Sequence, residues 1–198
     1  MSKVNKHENQ IIDLIKEQFF KLNQRYIEES IDGYNHWENH IKFVVEHALE
    51  LANQFNADRE IVELGALLHD IALVANVGTK ADHHTNGAII AEKMLRQHKY
   101  PEDKLRRVLN CILNHRSSAR ATTNEELCVA DADIMAHFDN MDMILNNINR
   151  LDRNQNDVIS RCEKDYNDMS VRTKDSFKPR YDKFMKELNR RLKALWKQ

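Results

Sequence analysis

Residues 65–73 read GALLHDIAL, an apolar run that opens on Gly65 and carries His69 and Asp70 side by side near its end. A stretch with this composition is built for burial. Burying an ionisable group is costly unless it is paired, hydrogen-bonded or bound to a metal. The pair must therefore find partners elsewhere in the chain, and the surrounding pattern says where.

Upstream, Asp58 precedes Ile61, Val62, Leu64, Leu67 and Leu68, which predicts a helix capped by Asp58 and ending on the pair. Before it, HWENHIKFVVEHALELANQF lines up Ile41, Val44, Val45, Ala48, Leu51, Ala52 and Phe55 on one face, with His40 one turn ahead of Val44. A first amphipathic helix is predicted over 7–29, closed by a turn at Asp32-Gly33. Downstream, VANVGTKADHHTNG is polar and reads as a loop. GAIIAEKMLRQH then forms a helix, and PEDKLRRVLNCILNH another that reaches His115. RSSARATTN is a loop, and a long helix is expected over 125–147, with Asp131 and Asp133 embedded among apolar residues. Helices over 157–169 and 176–196 complete the chain. The last carries Phe177, Tyr181, Phe184, Leu188, Leu192, Leu195 and Trp196 as a stripe for core or homodimer contact.

Only four Gly and two Pro interrupt 198 residues that are 41% hydrophobic, which favours an all-α fold in a single domain, 1–198. Cys111, Cys128 and Cys162 are far apart and never form a CxxC pair, so neither a disulfide framework nor a thiolate zinc site is expected, and a reducing cytoplasm suits them. The amino terminus lacks an apolar core, and no run approaches the ~18 apolar residues of a spanning helix, so export and membrane insertion are not expected. Net charge is −1: residues 151–198 hold 13 Lys+Arg and 8 Asp+Glu, net +5, and the first 150 hold 17 and 23, net −6. The basic tail reads as a solvated helix surface rather than a nucleic-acid or lipid surface.

His40, His69, Asp70 and Asp133 all lie on apolar helical segments and would satisfy one another by converging on a divalent cation. Helical neighbours project ~100° apart, so His69 and Asp70 can share an ion only at its flank or at the helix end. Nitrogen and oxygen donors without thiolate suit Mn, Fe, Co, Ni or Mg with positions left for water, more than a closed structural zinc site. Such an ion brings the pKa of bound water toward ~7 and neutralises phosphoryl charge.

The order of these motifs, a His ahead of an apolar helix, LLHD, a His before Gly87-Ala88, NHR and finally DAD, resembles the HD superfamily of metal-dependent phosphohydrolases over roughly residues 33–140. The resemblance implies an HD-domain-like helical bundle with a central metal site, on which the helices at 7–29 and 157–196 pack. It assigns His40, His69, Asp70 and Asp133 as metal ligands. His83 and His115 match an extra histidine pair that binds a second metal or acts on the phosphate, with His84 as the rival of His83. With two metals, Asp70 would bridge them. The implied activity is hydrolysis of a phosphate ester or anhydride of a nucleotide or other small phosphorylated metabolite, through a metal-activated water, with Asp70, His83 and His115 as the catalytic group. The alternative is a non-catalytic metal- or nucleotide-binding sensor. Phe43 stands where many relatives have Arg, DADIMAHFD departs from the DADRLD of nucleotide-pyrophosphatase-like members, and the GYP signature is absent, so no substrate carries over.

Lys80, His84, Arg116 and Arg120 fall in or beside the loops nearest the implied site and are candidates for holding phosphate. Asp131 is expected to be a structural partner, for instance of a ligand imidazole. His36 is expected to support or cap rather than ligate, and His7, His47, His98 and His137 to be surface or satisfied core residues. No membrane or nucleic-acid partner is expected.

Overall fold

The computed structural model describes residues 3–31, 33–150 and 154–195. Its helices are α1 (Lys3–Glu29), α2 (Lys42–Phe55), α3 (Arg59–Leu68), α4 (Ile71–Val74), α5 (His83–Gln97), α6 (Glu102–Asn114), α7 (Asn124–Ala136), α8 (Met141–Arg150), α9 (Gln155–Asp168) and α10 (Val171–Leu195). A π-turn at Trp37–Ile41 leads into α2, a 3-10 turn at Ser118–Arg120 precedes α7, and no strand occurs among the described residues. Asp32 of the expected turn and Trp196 of the last stripe lie outside the described residues.

The buried core gathers around α3, which packs against α2, α6 and α7; α2 also lies along α7, α5 pairs with α6 and α4 packs on α5. The contacts are close because of Gly65. A Cβ there would lie 2.7 Å from Cys111 Cβ and 3.2 Å from Val129 Cγ2, so a larger residue would force α3 away from α6 and α7. The amino-terminal helix joins this core through Ile11, Ile12, Ile15 and Phe19, with α1 against α3 and α4.

Local chemistry sets most boundaries. Asp58 caps α3 as expected, accepting from the amides of Glu60 and Ile61. Thr123 caps α7 in the same way, and Asn154 with Asp157 forms a capping box that starts α9. Asn56, at φ 54°, ends α2 in the left-handed conformation.

Two expectations need correction. The segment 74–87 is not a loop throughout: α4 runs to Val74, and α5 begins at His83, where Thr85 and Asn86 amides bond the Asp82 carbonyl. His83 of that first turn faces the site and Thr85 is exposed to solvent, so the turn is polar and composition conceals the helix. The helix expected over 125–147 is broken after Ala136. The amides of His137, Phe138 and Asp139 bond the carbonyls three residues back, and α8 restarts at Met141. Three contacts hold this corner: His137 to Asp165, Asp139 to His47 and Arg180, and Phe138 among Phe177, Tyr181 and Phe184. Phe177, Phe184, Leu188 and Leu192 of the α10 stripe are buried in the core, Leu195 is half-exposed, and α10 itself begins at Val171, earlier than the pattern suggested.

The positive tail is partly neutralised on the body and on itself. Arg180 pairs with Asp139, Arg191 with Asp142 and Glu187, and Lys178 with Asp182. No described helix is long and apolar enough to cross a membrane.

Candidate metal centre

His69 and Asp70 lie at the joint between α3 and α4, where the chain leaves one helix and enters the next. The break lets two consecutive side chains reach the same point. His40 comes from the π-turn, where one extra residue per turn re-aims the side chain relative to α2. Asp133 projects from α7, His83 stands at the start of α5 and His115 at the end of α6.

These side chains form two groups that meet at Asp70. In the first, His40 Nε2 lies 3.0 Å from Asp133 Oδ1 and 3.3 Å from His69 Nε2, which is 3.7 Å from the same Asp133 oxygen. Oδ2 of Asp70 faces this group, 3.5 Å from His69 Nε2 and 3.9 Å from His40 Nε2. In the second, His83 Nε2 and His115 Nε2 are 2.9 Å apart, and Oδ1 of Asp70 is 3.1 and 3.9 Å from them. His40, His69 and Asp133 form one set that could hold an ion, and Asp70, His83 and His115 another.

Backbone carbonyls fix the imidazoles. Nδ1 of His69, His83 and His115 each lies 2.7 Å from a carbonyl three residues back, of Ala66, Lys80 and Ile112. A carbonyl only accepts, so each Nδ1 carries a proton; Nε2 then faces the carboxylates, offering a lone pair in the neutral ring and donating in the protonated one. With both rings neutral, His83 and His115 would oppose two lone pairs at 2.9 Å, a contact that a proton or a cation between them relieves.

Electrostatics point the same way. Burial opposes a charge on His69, yet the carboxylates of Asp70 and Asp133 raise its pKa to about 9. Burial likewise opposes ionisation of Asp70 and Asp133; the histidines win, and both carboxyls are held well below the usual range. For His83, burial is outweighed by the hydrogen bond and charge of Asp70, and its pKa rises. His115 goes the other way, down to about 4, through burial and the charge on His69. Two buried carboxylates thus draw positive charge into the centre. The nitrogen and oxygen donors of the two groups could hold a divalent metal ion.

The proposed phosphate-holding residues are distributed unevenly. His84 packs its ring against His83, with centroids 5.9 Å apart, and its pKa is lowered by burial and then by Arg116, His83 and Arg120. Arg116 donates to the Ala81 carbonyl at 2.7 Å and ties the loop before α5 to the end of α6. Arg120 is exposed at the end of the 3-10 turn, and its side chain makes no hydrogen bond or ion pair among the described residues. Lys80 contributes its carbonyl to His83, and its side chain is exposed. A concavity of about 590 Å³, lined by Phe20, Gln24, Glu28, Trp37 and neighbours, shares no residue with either group.

Asp131 is structural, but its partners are not imidazoles. It is fully buried and accepts from Ser118 Oγ at 2.5 Å, Ser170 N at 2.9 Å, Thr173 Oγ1 at 2.6 Å and also Ser170 Oγ. His36 packs between Tyr26 and Tyr34, and His47 bonds Asp139 at 2.7 Å. His137 was undervalued by sequence reasoning: its ring stacks on His40, and its Nε2 is 4.0 Å from Asp133 Oδ1. The available signal was the i,i+4 spacing from Asp133, which places both on one helix face.

The HD domain family matches residues 37–137, just over half of the chain. The chain belongs to the HD-domain family, and its all-α architecture is that of the family. Among solved structures, a predicted HD superfamily hydrolase from an uncultured Thermotogales bacterium is similar in fold. Its TM-score is 0.57 at 23% identity, covering 95% of this chain and 92% of that one. No curated protein sequence matches the chain.

Proposed function

We propose that the chain is a metal-dependent phosphohydrolase acting on a phosphate ester or anhydride of a nucleotide or another small phosphorylated metabolite. The observation that carries this reading is the division of Asp70, which turns Oδ2 to His40 and His69 and Oδ1 to His83 and His115. A carboxylate placed between two imidazole groups suits two cations on either side of it. His40, His69, Asp70 and Asp133 would hold the first, and His83, His115 and Asp70 the second. Cations bound there supply positive charge against phosphoryl oxygens and water activated for attack on phosphorus.

The rest of the chemistry belongs to the chain. Asp70, His83 and His115 are the catalytic group: Asp70 stands where the two sets meet, and the two histidines face its Oδ1. The carbonyls of Ala66, Lys80 and Ile112 keep each imidazole Nε2 aimed inward before substrate arrives, so little reorganisation is needed. His84, Arg116 and Arg120 would hold the phosphate, Arg116 already fixed by the Ala81 carbonyl, with Lys80 on the same rim.

A panel of phosphorylated metabolites, assayed for phosphate or pyrophosphate release by the Mn-loaded protein, tests the reading. Release from at least one nucleotide or small phosphoester is expected, and its loss in His69→Ala. Tight nucleotide binding without release across the panel would favour a sensing module instead.

A further inference from the structure

The first cluster has an outer wall that reaches beyond the HD domain match. His137 is the last matched residue, and Asp165 belongs to α9. Nδ1 of His137 lies 3.1 Å from Asp165 Oδ2, and Asp165 is itself held by Arg161 Nε at 2.8 Å. Because the carboxylate accepts, Nδ1 carries a proton, as it does at His69, His83 and His115, and Nε2 faces inward. That Nε2 lies 4.0 Å from Asp133 Oδ1, and the ring is stacked on His40, with centroids 5.7 Å apart and planes 20° from parallel. His137 therefore touches both residues of the closest pair in the first cluster, His40 and Asp133 at 3.0 Å. Its side chain is 31% exposed, against 12% for His40 and 0% for His69.

We propose that Asp165 and His137 are positioning residues of the first cluster: Asp165 fixes the His137 ring, and the ring holds His40 and Asp133 in the arrangement that grips a cation. The proposal rests on the metal-centre reading above. It makes α9, which packs on α7, a working part of the site rather than a cover for it. Outer partners of this kind change metal affinity by about 10–100-fold when removed.

Co(II) titration, followed by visible absorption in a His115→Ala chain, isolates the first cluster. His137→Ala and Asp165→Ala, added to that chain, should each weaken Co(II) binding about tenfold or more and alter the d–d bands. Asp165→Asn keeps an acceptor for Nδ1 and should recover most of the affinity. The second cluster, titrated in a His40→Ala chain, should be unaffected by either change. Unchanged Co(II) affinity in both His137→Ala and Asp165→Ala would overturn the proposal, as would equal losses at both clusters, which mark general destabilisation. A parent chain that takes up no Co(II) overturns the metal-centre reading itself, and the proposal with it.

Discussion

Asp70 and His83 meet at 3.1 Å through Oδ1 and Nε2, while the other oxygen of the same carboxylate faces His69 at 3.5 Å. One side chain therefore couples two groups delivered by different helices, and the outcomes of substitution should reflect that division. Asp70→Ala should lose metal from both groups, whereas His115→Ala should lose it only from the second. Metal-to-protein ratios measured by mass spectrometry after dialysis check this. A His115→Ala chain with no metal at all would mean that the groups are not separable.

The DAD triplet should split into two phenotypes. Asp133→Ala is expected to lose the first metal. Asp131→Ala leaves three hydroxyls and an amide without their buried acceptor, and should cost about 3 kcal/mol of stability. Urea unfolding of the two variants, alongside their metal content, separates the roles.

Arg120 is exposed and unpaired among the described residues, so replacing it disturbs little else. If it holds phosphate, Arg120→Ala should raise KM about tenfold, roughly 1.4 kcal/mol, with a smaller effect on kcat. Steady-state kinetics on whichever metabolite the wild type turns over gives the split.

All three thiols are buried. Burial lifts Cys111 well above its ordinary value, Cys128 to about 12 and Cys162 to about 11. A folded pKa above the unfolded one means that this stability is fully present below about pH 9 and is lost as pH rises through the folded values. Unfolding free energy should fall from pH 8 to pH 10.5, and less steeply in Cys128→Ala. Native protein should resist alkylating reagents that label all three cysteines in urea.

Much of this was legible in GALLHDIAL. Its apolar residues specify a buried helix, and the cost of an imidazole and a carboxylate at its end calls for His40 and Asp133, which the structure does bring to that point. Three features were not legible. The first turn of α5 is polar, with His83 facing the site and Thr85 in solvent, so composition reads it as loop. The corner at 137–140 interrupts a pattern whose apolar period continues through Phe138 and Met141, because long-range partners such as Asp165 and Arg180 decide it. His137 showed only its i,i+4 spacing from Asp133; its pairing with Asp165, 28 residues away on another helix, leaves no sign in the sequence.

Hydrolysis should depend on cations held by the two groups around Asp70. The most direct measurement is phosphate release by chelator-stripped protein before and after Mn(II) is added back. No release before addition, recovery afterwards, and no recovery in Asp70→Ala are the predicted results. Turnover by the stripped protein at the rate of the loaded one would contradict that dependence.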